Sequence, residues 1–268
     1  MRPSEALDEL EARLQTLLTR IARDPARPTL DELAAIDEFH TRGREATAEL
    51  LARLDPPPGS LVLDAGCGLG GPARLLAAER GCRVVGVDLD PVNVVIARRL
   101  TLATRLPDRV RLAVADATAL PFPDETFGHA ISQHVAMSVA DKPALYRELR
   151  RVLRPGGRLA IHDLAAGPGG APLLPAPWAS DQGGSHLETI VVTGHILEAA
   201  GFRLLQGFVD TEAARAWAGR VLDRLGRGGP PPLLDLLFPE RAGEIARNLA
   251  RNLLECRTVP FRLVAEVC

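Results

Sequence analysis

Aromatic residues are scarce in this chain: Phe, Trp and Tyr make up 4% of its 268 residues, and Tyr146 is the single tyrosine. Lysine is scarcer still, since Lys142 is the one lysine among 32 basic residues. Against 34 acidic residues the net charge is −2, so no basic footprint points to a nucleic-acid partner. The four cysteines (Cys67, Cys82, Cys256 and Cys268) form no C-x-x-C pair, which argues against a zinc or disulfide framework. No spacing of histidines and carboxylates suggests a metal site, and none is expected. The opening MRPSEALDEL lacks the apolar core of a signal peptide, and no run of about 18 apolar residues occurs. A cytoplasmic protein with no membrane partner is therefore expected. What is present is ordinary for a globular chain: 46% hydrophobic and 25% charged residues, in a length that can bury most of its apolar surface.

Helical spacing runs from residue 4 to 54, through Leu7, Leu10, Leu14, Leu17 and Leu18, then Leu30 to Phe39 and Ala46 to Leu54. A break falls near Pro25 and Pro28, and Pro56-Pro57-Pro58-Gly59 ends the region. Residues 1–58 thus read as an N-terminal helical extension, followed by one domain over 59–268. From Leu61 strands and helices alternate, which predicts a doubly covered parallel sheet. Strands are expected at Leu61–Leu63, Val84–Val87, Val110–Ala115, Phe127–Ser132, Arg158–Leu164, Phe202–Phe208 and Phe261–Val267. Asp90-Pro91 and Asp141 mark helix starts, and Gly81 and Pro155-Gly156-Gly157 mark stops. The Pro/Gly-rich stretch 165–190 is long enough to be lid-like. A helical insertion, read as a pair interrupted by Gly226 to Pro232, is expected over 211–256.

The most informative segment is Val62-Leu63-Asp64-Ala65-Gly66-Cys67-Gly68-Leu69-Gly70-Gly71, between a strand and a helix. Gly66, Gly68 and Gly71 satisfy a dinucleotide fingerprint, so the glycines alone do not separate one adenosine ligand from another. Asp64 does. A carboxylate two residues before the first glycine would repel a pyrophosphate and suit an ammonium or sulfonium. Asp88 closes the second strand about twenty residues on, where an acidic side chain can take both ribose hydroxyls. Leu89 can cover an adenine face, and Asp116, followed by Ala117, can take its exocyclic amine. Three aspartates at the carboxyl ends of successive strands are specific, because ligands sit at that edge of a parallel sheet.

This order, with Leu120-Pro121-Phe122, Phe127 and Arg154-Pro155-Gly156-Gly157, resembles the class I S-adenosylmethionine-dependent methyltransferases. The resemblance covers residues 39 to 208. It implies an α/β, Rossmann-like seven-stranded sheet, parallel except for an antiparallel last strand, with helices on both faces. It implies S-adenosylmethionine as cofactor and S-adenosylhomocysteine as product, held at Asp64, Gly66, Cys67, Gly68, Asp88, Leu89, Asp116, Ala117 and Gln133. A narrower likeness to sarcosine/dimethylglycine-type small-molecule enzymes rests on Ser132-Gln133-His134, Asp141-Lys142 and Phe39-His40-Thr41-Arg42-Gly43. That group implies an N-terminal flap over the cofactor, which adds His40. Ser138 departs from it, standing where relatives often carry histidine.

Methyl transfer to a nitrogen or oxygen of a small acceptor is an in-line displacement of a neutral thioether. Catalysis then rests mainly on placing a lone pair about 3 Å from the methyl. A base matters where the nucleophile starts protonated, and His134, just after the fourth strand, is the candidate. His162 reads as a buried structural imidazole, while Asp163 beside it is expected at the ligand edge. Trp178, Asp181 and His186 are candidate acceptor contacts in an aliphatic pocket. The single tyrosine leaves little to build an aromatic cage for a quaternary ammonium. Two alternatives stand: an NAD-dependent oxidoreductase, disfavoured by Asp64 and Asp116, and a non-catalytic S-adenosylmethionine-binding protein. A homodimer is left open.

Overall fold

A computed structural model of the chain describes residues 3–38 and 40–268. Phe39, one end of the expected flap, lies outside them. The N-terminal extension is three helices, α1 (Pro3–Ile21), α2 (Leu30–Asp37) and α3 (Arg44–Leu54). Thr29 and Glu32 close a reciprocal capping box at the start of α2, which fixes the restart after the Pro25–Pro28 break.

The alternating region follows as β1 (Leu61–Ala65), α4 (Gly71–Glu79), β2 (Arg83–Asp88), α5 (Pro91–Ala103), β3 (Val110–Val114) and β4 (Phe127–Gln133). Then come α6 (Lys142–Val152), β5 (Leu153–Ala166), α7 (Ile190–Ala199) and β6 (Phe202–Val209). The chain finishes with α8 (Thr211–Arg227), α9 (Pro232–Leu237), α10 (Ala242–Leu254) and β7 (Thr258–Val267). The seven strands lie in the order β3-β2-β1-β4-β5-β7-β6. All neighbours are parallel except β7, which runs antiparallel between β5 and β6. This is the expected Rossmann-like sheet.

Period-two alternation divides the core. Val62, Val84 and Ile131 join one apolar cluster with α3, α4 and α5, while Leu63, Val87 and Ala130 join another with α6 and α7. Asp90 and Asp141 cap their helices as expected, accepting from Val92 N at 2.8 Å and Ala144 N at 2.8 Å.

Three details differ from the sequence reading. β5 begins at Leu153, which pairs with Phe127 before a register shift, so the chain turns straight from helix into strand, and Gly157 packs where a Cβ would lie 2.7 Å from the Arg154 carbonyl. Helix α7, capped by Thr189, starts directly where the 165–190 stretch ends. The insertion 211–256 is three helices instead of two, since Pro232 opens α9 within the expected interruption.

The helical pieces meet over the carboxyl edge of the sheet. Leu14, Leu18, Leu33 and Ile36 of the N-terminal helices pack with Leu233 and Leu236 of α9, together with Leu69, Ile96 and Leu100. The 165–190 connection is stitched to α10: Asn252 exchanges two hydrogen bonds with the Leu173 backbone, at 2.7 and 3.0 Å. Any closing motion of the connection therefore carries α10 with it.

Candidate functional site

The site starts from the turn after β1. Gly66 N and Cys67 N both donate to the Val87 carbonyl, at 2.8 and 2.9 Å, docking the turn on β2. Gly66 has φ +77, and a Cβ there would lie 2.2 Å from Val135 Cγ2, so the close approach to the turn after β4 requires glycine. Asp88 organises the loop. Its Oδ2 accepts from Gly68 N at 2.8 Å, and its Oδ1 accepts from Asp90 N at 3.0 Å and Asn93 Nδ2 at 3.2 Å. Oδ2 retains a lone pair for a ligand, while Oδ1 is filled by its two bonds.

A cavity of about 250 Å³ opens over this edge. Of the residues expected from sequence it gathers Asp64, Gly66, Cys67, Gly68, Asp88, Gln133, His134, His40 and Trp178. Leu89, Asp116, Ala117, Asp181 and His186 stand outside its lining. Leu89 is 69% exposed beside the rim. Asp116 turns its Oδ1 back on its own loop, to Thr118 N at 2.8 Å and Thr118 Oγ1 at 2.7 Å. Asp181 caps a short 3-10 turn through Gly183 N, and His186 is held by its backbone, N–H to the Met137 carbonyl and carbonyl to Lys142 Nζ. Trp178 lines the cavity, and its Nε1–H donates to Ser185 Oγ at 3.0 Å within the same connection.

Asp163 is a correction to the sequence reading. It is buried, and its carboxylate accepts from Val135 N at 3.1 Å and Ala136 N at 2.7 Å, so it shapes the His134 turn without reaching the cavity. Burial pushes its pKa up to about 6 against those N–H bonds.

The cavity's electrostatics are acidic. Burial, then the neighbouring charge of Asp88, raises the Asp64 carboxyl to about 7, opposed by Arg74 and the Ala73 backbone. Asp64 Oδ2 and Thr41 Oγ1 are buried without a partner among the described residues. Asp37 is already answered by the wholly buried Arg74, at 2.6 Å. The same guanidinium donates to the Leu69 carbonyl at 2.7 Å, to Thr101 Oγ1 at 3.2 Å and to the Ala97 carbonyl at 3.3 Å. It therefore ties α2, the glycine loop and α5 together. The stretch after α2 is also anchored by charge: Glu38 is buried against Arg44, and Arg42 bonds Glu49 at 2.7 Å and Glu45 at 2.9 Å.

Three histidines from distant parts of the chain converge here. Ring centroids lie 5.6 Å apart for His40 and His134, 5.2 Å for His40 and His162, and 4.9 Å for His134 and His162. Burial lowers His40 to about 4 and holds His134 and His162 well below the ordinary imidazole range. All three are neutral at pH 7. His40 Nε2 meets Thr47 Oγ1 at 2.9 Å, whereas His134 Nε2 and His162 Nε2 are buried without partners among the described residues. Among those residues no group of His, Cys, Asp or Glu is arranged to hold a metal ion, and no helix is long and apolar enough to cross a membrane.

Sequence reasoning missed the roof: Ile36, Met137, Pro177, Leu233, Leu237 and Leu249 line the cavity from five separate segments. The i, i+4 pair Leu233 and Leu237 signalled an amphipathic turn, but nothing local says what that turn covers. Asp37 was also missed, and the buried arginine five residues after Leu69 carried no motif. Among the described residues no lysine or arginine lines the cavity. The lining fits an adenosine ligand that carries positive charge and leaves a pyrophosphate without counter-charge.

Residues 63–161 match the methyltransferase domain family. The chain is 39% identical over 131 residues to methyltransferase GfsG of Streptomyces halstedii, covering 49% of this chain and 47% of that protein. It is 33% identical over 162 residues to phosphoethanolamine N-methyltransferase 1 of Zea mays, covering 60% of this chain and 32% of that protein. The chain thus spans a third to a half of the length of these relatives. Among solved structures, the [4+2]-cyclase SpnF superposes with a TM-score of 0.69 at 25% identity, covering 83% of this chain and 80% of that one.

Proposed function

We infer that this chain, whose residues 63–161 match the methyltransferase domain family, transfers a methyl group from S-adenosylmethionine to a nitrogen or oxygen of a small molecule. The observation that carries this reading is the pair Asp64 and Asp88 on adjacent strands beside the glycine loop, in a cavity lined by no lysine or arginine among the described residues. Asp88 would serve the ribose of either ligand, but the Asp64 carboxylate favours a cation over a pyrophosphate, which weighs against NAD-dependent redox chemistry. When bound, S-adenosylmethionine supplies a methyl group on a positively charged sulfur that departs as a neutral thioether. Asp64 faces the positive charge, and Asp88 Oδ2 accepts from a sugar hydroxyl while the carboxylate still holds Gly68 and Asn93. Gln133, His40, Cys67 and the loop glycines border the ligand. Leu89, Asp116 and Ala117, at the open edge, cover the adenine side, with Asp116 Oδ2 left over by the bonds to Thr118. The roof of α9, α10 and the 165–190 connection excludes water and orients the acceptor.

Calorimetry tests the cofactor assignment. Asp88→Ala weakens S-adenosylmethionine binding by about 1.5–3 kcal/mol, the range for hydrogen bonds to charged groups. Asp64 adds a pH signature. Its acid form persists up to about pH 7, and a cation binds the ionised form. Affinity therefore falls as pH drops below about 7, because each binding event must first expel the Asp64 proton. Unchanged affinity in Asp88→Ala, together with a flat pH dependence, would falsify the assignment.

His134 is the candidate base, with the turn after β4 holding its ring at the cavity. Its replacement by alanine lowers turnover by about 10²-fold or more. Because burial keeps its pKa well below the ordinary imidazole value, the wild-type rate stays level where an exposed histidine would already protonate. Full turnover in His134→Ala returns the residue to a structural role. The likeness to SpnF supports a second reading, in which this fold serves a reaction other than methyl transfer. Product mass separates the two, since only transfer adds a methyl group to the acceptor.

A further inference from the structure

The acceptor side of the cavity is built very differently from the cofactor side. The three lining carboxylates are Asp37, Asp64 and Asp88; the first is paired with Arg74, and the other two flank the glycine loop. What remains is the roof, where Leu233, Leu237 and Leu249 descend from α9 and α10 and face Met137, Pro177 and Trp178. Apart from those three carboxylates, no charged side chain among the described residues lines the cavity. The remaining polar side chains of the lining are Asn93, bonded to Asp88, and Thr41, Gln133, Ser138 and the imidazoles of His40 and His134, of which Gln133 and His40 also border the cofactor. Among the described residues, Thr41 Oγ1 and His134 Nε2 are buried without partners. These are neutral donors and acceptors, few in number and set in an apolar wall, which is the usual lining for an uncharged ligand.

Building on the proposed function, we propose that the methyl acceptor is an uncharged, mainly apolar hydroxyl compound, recognised by the leucine and tryptophan roof and by the unpaired polar atoms of Thr41 and His134. A phosphate or carboxylate on the acceptor would lose its water with no cation to replace it, and the nearby Asp64 and Asp88 would repel it. An ammonium would find its nearest carboxylates committed to the cofactor and to Arg74. The Tyr146 ring cannot contribute a cage, because it is wholly buried on α6 and does not line the cavity. In the transfer the acceptor O–H bond breaks and its proton passes to an imidazole nitrogen of His134. The oxygen bonds the methyl carbon, and the carbon–sulfur pair stays with the departing thioether.

The test uses three probes with one tail: octanol, octyl phosphate and octylamine, titrated calorimetrically into the full chain saturated with S-adenosylhomocysteine. Octanol binds about tenfold or more tightly than either charged probe, since a charge buried without a partner is strongly disfavoured. Trp178→Ala loses octanol affinity by about tenfold while S-adenosylhomocysteine affinity stays unchanged, because burial of the indole against the tail is lost. Equal or tighter binding of octyl phosphate or octylamine overturns the proposal, and so does failure of all three probes in a protein that holds the cofactor product. Failure to bind S-adenosylhomocysteine or S-adenosylmethionine instead overturns the underlying functional reading.

Discussion

Arg74→Ala loses about 3–5 kcal/mol of stability, the range for removing one partner of a buried ion pair. The side chain is fully buried and answers Asp37, whose own carboxylate is equally withdrawn from water. Without the guanidinium Asp37 becomes an uncompensated buried charge, and the Leu69 carbonyl and Thr101 hydroxyl lose their donor. Urea unfolding reads the loss as a shift of midpoint at constant slope. The paired variant Asp37→Leu with Arg74→Met recovers most of the stability, because two apolar side chains of similar volume need no partner. It does not recover cofactor affinity, since the tie between α2 and the Leu69 turn is gone. A single variant as stable as the wild type would mean that water reaches this pair and that the N-terminal helices are not fastened through it.

Gly66→Ala is the second large effect. At φ +77 an L side chain costs about 1–2 kcal/mol from backbone strain alone. Its Cβ would also press on Val135 Cγ2 at 2.2 Å, and overpacking of that kind costs about 1–3 kcal/mol more. Val135 follows His134, so the displaced turn carries the candidate base with it, and cofactor affinity and turnover both fall. In the Gly66→Ala background, Val135→Ala relieves the steric part and leaves the backbone part. A double-mutant cycle on stability therefore shows a coupling of the order of 1 kcal/mol or more. Additive effects would place the two residues out of contact.

These two positions mark the boundary between what is legible in the chain and what is not. Sequence by itself determined the alternation of strand and helix, the caps at Asp90 and Asp141, the glycine turn and the acidic residues Asp64 and Asp88 at strand ends. All of these follow from backbone sterics, local hydrogen bonding or side-chain period, which act over a few residues. Tertiary structure alone decided the partners. Asp116 has the right strand-end position, yet its carboxylate is half used by Thr118, two residues on. Asp163 lies one residue from His162 but spends itself on the backbone of the His134 turn. His40, His134 and His162 are separated by long stretches of chain, and only folding brings their rings within 6 Å and drives their protons off by burial. The roof follows the same logic. Leu233, Leu237 and Leu249 are simply apolar in sequence, and apolar burial is non-directional, so the chain's path decides that they close this cavity and no other surface.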